Sequence, residues 1–73
     1  MSKLIRELKE QKGYSESEKM IAEFMLENYR SIAAMSTRQM AKKTYTSPSA
    51  IVRFSQKMGF EGYTDFKVQF LAE

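Results

Sequence analysis

Residues Ser36–Phe60 read STRQMAKKTYTSPSAIVRFSQKMGF, and this stretch decides the fold. Ser36 can cap a helix over roughly Thr37–Thr44. Its inward residues would be Met40, Ala41 and Thr44, with Arg38, Lys42 and Lys43 facing out. Tyr45-Thr46 makes a turn. Ser47 caps the next helix with Pro48 at its first position, a strong start signal. Gly59 ends that helix, with Phe60 placed to close a hydrophobic Schellman contact. A short helix, a turn of three or four residues and a second helix are the layout of a helix-turn-helix.

On a helical wheel at about 100° per residue, Ile51, Phe54, Ser55 and Met58 share one side. Ser49, Arg53, Gln56 and Lys57 fall opposite, with Ala50 and Val52 at the edges. The outward face thus has two hydrogen-bonding side chains, two cations and no acid. That chemistry can read base edges and hold phosphates in a major groove. Arg53 is the best candidate for base readout, because a guanidinium pairs in bidentate fashion with guanine O6 and N7. Ser47 and Ser49 stand at the helix N-terminus, where free N–H groups attract phosphate. Lys42, Lys43 and Arg38 would flank the DNA backbone, and Gln56 and Lys57 reach it further along. Tyr45 either packs on the core or offers its hydroxyl to a phosphate, and the second reading is favoured.

The charge pattern agrees. Between Glu27 and Glu61 the chain has no acid but six bases: Arg30, Arg38, Lys42, Lys43, Arg53 and Lys57. The flanks hold the other six bases and all nine acids, so a middle of +6 sits between flanks totalling −3. Such a surface suits an anionic partner, nucleic acid first, although a charge run is also compatible with a plain solvated face.

Outside this stretch the chain reads as helical throughout, with one proline, three glycines and no β-type alternation. A first helix covers roughly Lys3–Lys12, with Leu4, Ile5 and Leu8 inward and Gly13 as its left-handed stop. Ser15 and Glu18 form a capping box for a second helix, with Tyr14 at the staple position. Its broad apolar face is Met20, Ile21, Phe24, Met25 and Tyr29. A fifth helix starts near Tyr63 and carries Phe66, Val68, Phe70 and Leu71. The reading is all-α: one compact five-helix bundle over residues 1–73 containing a helix-turn-helix. The last helix offers more apolar surface than such a monomer clearly needs, which suggests a homodimer through a partial interface on the first and last helices, the alternative being that these residues close the monomer's own core.

Seventy-three residues make one small domain without room for a deep substrate cavity. Cysteine and histidine are both absent, which removes disulfides, thiolate and imidazole chemistry, and nearly all zinc sites. No catalytic, metal or cofactor constellation is visible, so an enzyme is not expected. No apolar run approaches the roughly 20 residues that span a bilayer, and the opening Met1–Arg6 is broken by charge, unlike a signal peptide. A cytoplasmic, nucleoid-associated protein with no membrane partner is expected. The Phe70–Glu73 ending lacks a helix stop signal, so the natural protein is expected to continue.

Tyr14–Met25, Met35–Ala41 and above all Ser47–Phe54, followed by Lys57-Met58-Gly59-Phe60 and Gly62-Tyr63, resemble the RpiR family of bacterial transcription regulators that respond to sugar phosphates. The resemblance covers Leu4–Leu71. Where that family commonly has glycine then valine in the turn, this chain has Tyr45 and Thr46, and Ala50 replaces a frequent threonine. A tyrosine there weighs against the left-handed turn that glycine favours. Ala50 could still meet a thymine methyl group. Two-fold proteins on palindromic duplex operators are the usual helix-turn-helix arrangement, and the resemblance implies control of sugar or amino-sugar genes. It also implies a phosphosugar effector bound by a C-terminal sugar isomerase-type domain that is not in this sequence. The alternative from the residues themselves is a helical interaction module whose basic face binds an acidic protein partner.

Overall fold

A computed structural model describes residues 2–73; Met1, the first residue of the charge-broken opening, lies outside them. Among the described residues there are six helices: α1 (Lys3–Glu10), α2 (Glu16–Glu27), α3 (Tyr29–Ile32), α4 (Thr37–Lys43), α5 (Pro48–Lys57) and α6 (Tyr63–Ala72). The expected count of five is therefore one short. The missed element is α3. Asn28 leaves the helical region (φ −122°, ψ 38°), and its side-chain amide donates to the Phe24 carbonyl at 2.9 Å, closing α2. A four-residue turn then restarts on the Asn28 carbonyl, which accepts from Ser31 N and Ile32 N. Buried Ile32 anchors it.

α1 also ends earlier than expected. Gln11 adopts the left-handed conformation (φ 54°), so the helix stops at Glu10, three residues before Gly13, which is itself left-handed at φ 73°. The Ser15 and Glu18 capping box forms as read: Ser15 Oγ accepts from Glu18 N at 3.2 Å, and Glu18 Oε1 accepts from Ser15 N at 2.7 Å. Tyr14 does not staple α2 to itself. Residue 19, its partner position, is a lysine, and the Tyr14 ring instead meets Phe54 of α5 edge-on at 5.3 Å.

The core joins Leu4 and Leu8 of α1, Ile21, Ala22 and Met25 of α2, Ile32, Met40 and Ala41, Ile51 and Phe54 of α5, and Tyr63, Phe66 and Phe70 of α6. Phe54 is its centre, with Phe66 edge-on at 5.7 Å, and Phe60 stacks on Phe66 at 5.3 Å. Two buried polar residues are satisfied locally. The Thr44 hydroxyl donates to the Met40 carbonyl at 2.7 Å, and that of Ser55 to the Ile51 carbonyl at 2.8 Å.

α6 changes the expectation of surplus apolar surface. Tyr63, Phe66 and Phe70 are consumed in the core, and Leu71 is half-buried; only Val68, 62% exposed, stays out. Tyr63 donates its hydroxyl to the Met35 carbonyl at 2.9 Å, and burial pushes its phenol up to about 12. Met20, placed by the sequence on the apolar face of α2, is 38% exposed. No helix among the described residues is long and apolar enough to cross a membrane.

Candidate nucleic-acid interface

α4 and α5 form the most extensive helix pair, joined by the four residues Thr44–Ser47. Each is fixed by local signals. Ser36 Oγ accepts from Gln39 N at 3.2 Å while Gln39 Oε1 accepts from Ser36 N at 2.8 Å, a capping box that starts α4. Its spacing was legible in the sequence by the rule that found Ser15 and Glu18. At the far end, Thr46 N donates to the Ala41 carbonyl at 2.9 Å and Tyr45 N to that of Lys42 at 3.3 Å. That is a Schellman ending with Tyr45 in its left-handed place, φ 58°. The tyrosine that weighed against this geometry adopts it.

α5 opens on Ser47, whose Oγ accepts from Ala50 N at 3.1 Å, with Pro48 next. It closes as the sequence indicated. Gly59 takes φ 99°, Gly59 N donates to the Gln56 carbonyl and Phe60 N to that of Ser55, both at 3.0 Å.

The structure places Arg38, Lys42, Lys43, Tyr45, Ser47, Ser49, Arg53, Gln56 and Lys57 at the surface, and Ala50 half-buried. It gathers them unequally. Lys42, Lys43 and Tyr45 line one open groove together with Gln39. Ala50 and Arg53 line another with Phe54 and the start of α2, namely Ser15, Ser17, Glu18 and Ile21. Sequence reasoning missed Ser17 as a neighbour of Arg53, because 36 positions separate them and only tertiary packing joins them.

Two residues expected to face outward have partners of their own. Lys57 Nζ lies 2.9 Å from Glu18 Oε1, donates to the Gly13 carbonyl at 3.2 Å, and sits 5.2 Å from the centre of the Tyr14 ring. The wheel explains the Lys57 contacts. At about 100° per residue, Lys57 falls within about 20° of Ala50, on the edge of α5 that faces α2. Gln56 Nε2 donates to the Glu61 carbonyl at 3.3 Å. Glu18, bonded to both Ser15 N and Lys57, has a carboxyl held below its ordinary range. The Ser15 backbone bond is the main cause and Lys57 a further one, opposed by partial burial.

Among the described residues, Arg38, Lys42, Lys43 and Arg53 have no ion-pair partner, whereas Lys57 is neutralised. Four cations of the two motif helices are thus left at the surface without an ion-pair partner among the described residues.

A family model described as the helix-turn-helix domain of the rpiR family matches residues 1–73. The chain belongs to that family. No solved structure matches it. As an rpiR-family helix-turn-helix, the chain is a domain of the kind that transcription regulators use to bind DNA. In that motif the second helix is the one that enters the major groove.

Proposed function

We propose that this domain is the sequence-specific DNA-binding part of a bacterial, cytoplasmic transcription regulator. The observation that carries the reading is the set of four cations, Arg38, Lys42, Lys43 and Arg53, that have no ion-pair partner among the described residues, on the two helices of the motif. α5 enters the major groove N-terminus first. Ser49, Ala50 and Arg53 meet base edges there. Ser47, Lys42, Lys43 and Arg38 hold phosphates and so set the register. Lys57, bonded to Glu18, fixes α5 on α2 and so orients the reading helix. With three phosphates neutralised per half-site by Lys42, Lys43 and Arg38, log K should fall with log salt at a slope of about −2.7.

Two copies on a palindromic site follow from the usual symmetry of such motifs. Exposed Val68 and half-buried Leu71 of α6, with half-buried Ile5 of α1, are apolar residues available to join them. The family resemblance supports control of sugar or amino-sugar genes, with a phosphosugar sensed by a sugar isomerase-type domain of the full regulator.

The test is selection from a random duplex library at two salt concentrations. An enriched two-fold-symmetric site with a steep salt dependence is expected. Weak, sequence-blind binding would overturn specific recognition by this chain and favour an acidic protein partner. Arg53→Ala should blunt sequence preference; equal weakening on every sequence would remove Arg53 from base readout.

A further inference from the structure

Tyr45 differs from every other tyrosine in the chain. Tyr14 donates its hydroxyl to the Glu7 carbonyl and packs on Phe54. Tyr29 donates to the Leu71 carbonyl at 2.6 Å and packs on Phe70. Tyr63 is buried and donates to the Met35 carbonyl. Tyr45 is 86% exposed, and its hydroxyl has no partner among the described residues. It also occupies the left-handed position of the Schellman ending, φ 58°, where a β-carbon is disfavoured and glycine is not. The backbone strain counts against the folded chain, since the hydrogen bonds of the helix ending that hold it would form equally around glycine, and the exposed ring gains no burial to offset it. The ring does line the groove it shares with Gln39, Lys42 and Lys43, and neither lysine has an ion-pair partner among the described residues.

We infer that Tyr45 is a phosphate-contacting residue retained at the expense of stability: its hydroxyl donates to a DNA phosphate oxygen that Lys42 and Lys43 flank. The inference deepens the DNA-binding reading and rests on it. A hydroxyl on phosphate is blind to sequence, so Tyr45 adds affinity without preference. The strain has a use as well. The left-handed turn sets the direction in which the side chain leaves the backbone, so a rigid phenol is presented in advance of binding, with few rotamers to freeze.

The experiment compares the 73-residue chain with Tyr45→Phe and Tyr45→Gly. Each is measured by thermal unfolding and by anisotropy titration of a random-sequence duplex of about 20 base pairs, two helical turns. Glycine relieves the left-handed strain but enlarges the unfolded ensemble, and the first effect is the larger. Tyr45→Gly should therefore raise Tm by about 3–6 °C while weakening the duplex about tenfold, a loss of about 1.4 kcal/mol. Tyr45→Phe should leave Tm unchanged and weaken the duplex about fivefold. If Tyr45→Phe binds as tightly as the parent, the hydroxyl contact is refuted while DNA binding stands. If Tyr45→Gly binds as tightly, or is not stabilised, the trade of stability for binding is refuted. A parent chain that binds no duplex overturns this inference and the DNA reading together.

Discussion

Glu18 is asked to do two jobs at once, and removing it measures both. Its Oε1 accepts from Ser15 N at 2.7 Å, closing the capping box of α2, and lies 2.9 Å from Lys57 Nζ of α5. Losing the cap bond in Glu18→Ala costs about 1 kcal/mol, in the range found for helix caps. The Lys57 pair is partly exposed, with side chains 41% and 23% accessible for Lys57 and Glu18. It is worth about 0.5 kcal/mol after screening. Alanine's helix propensity returns a few tenths. The net loss is about 1–1.5 kcal/mol, against a total of about 4–11 kcal/mol for a domain of this length. Urea unfolding followed by circular dichroism at neutral pH would register it. Glu16→Ala is the control: Glu16 is 91% exposed in a loose 3.8 Å pair with Lys19, and its loss should stay within about 0.5 kcal/mol.

The pH dependence gives a sharper check. The folded-state pKa of Glu18 is depressed below the ordinary 4.5, first by the Ser15 backbone bond and then by Lys57. A depressed carboxylate contributes stability that is fully present above its unfolded pKa and is lost as pH falls through the folded one. The gap between parent and Glu18→Ala should therefore be widest at neutral pH and shrink below the ordinary carboxylate range. A Glu18→Ala loss no larger than that of Glu16→Ala would refute the reasoning, as would a gap that persists undiminished in acid.

Phe54→Ala should cost about 3–5 kcal/mol, because Phe54 is fully buried and its ring meets both Tyr14 and Phe66; denaturant titration would show most of the domain's stability gone. Gly59→Ala should cost about 1 kcal/mol through its φ of 99° alone, since nothing lies within 4 Å of the added methyl, and a neutral result would deny strain at that turn. Lys43→Ala should flatten the salt dependence of duplex binding by about one unit, while Lys57→Ala should leave the slope unchanged; equal slopes for the two variants would return Lys57 to the DNA surface.

Much of this protein was legible in one dimension because its signals are local. A helix start needs one hydroxyl three residues from an N–H, and a helix stop needs one residue that tolerates a positive φ. Ser15, Ser36, Ser47 and Gly59 therefore announced α2, α4 and α5 to within a residue or two. α3 escaped because Asn28, which breaks the helix, carries no signal as strong as glycine or proline. Gln11 and Tyr45 escaped for a related reason. Each takes a left-handed backbone that its side chain disfavours, held there by the hydrogen bonds of the helix ending rather than by its own preference.

The sequence by itself determined the all-helical class, the motif and the acid-free basic stretch, since each depends on residues within a few positions of one another. Only the tertiary structure decided which charges remain free. Lys57 and Glu18 are 39 positions apart, and their pairing exists only because α5 lies on α2. Likewise Tyr63, Phe66 and Phe70 read as surplus apolar surface until the core was seen to take them up. Whether a side chain is spent inside the fold or left for a partner depends on what packs against it, and that neighbour is fixed by the whole chain's burial of apolar surface.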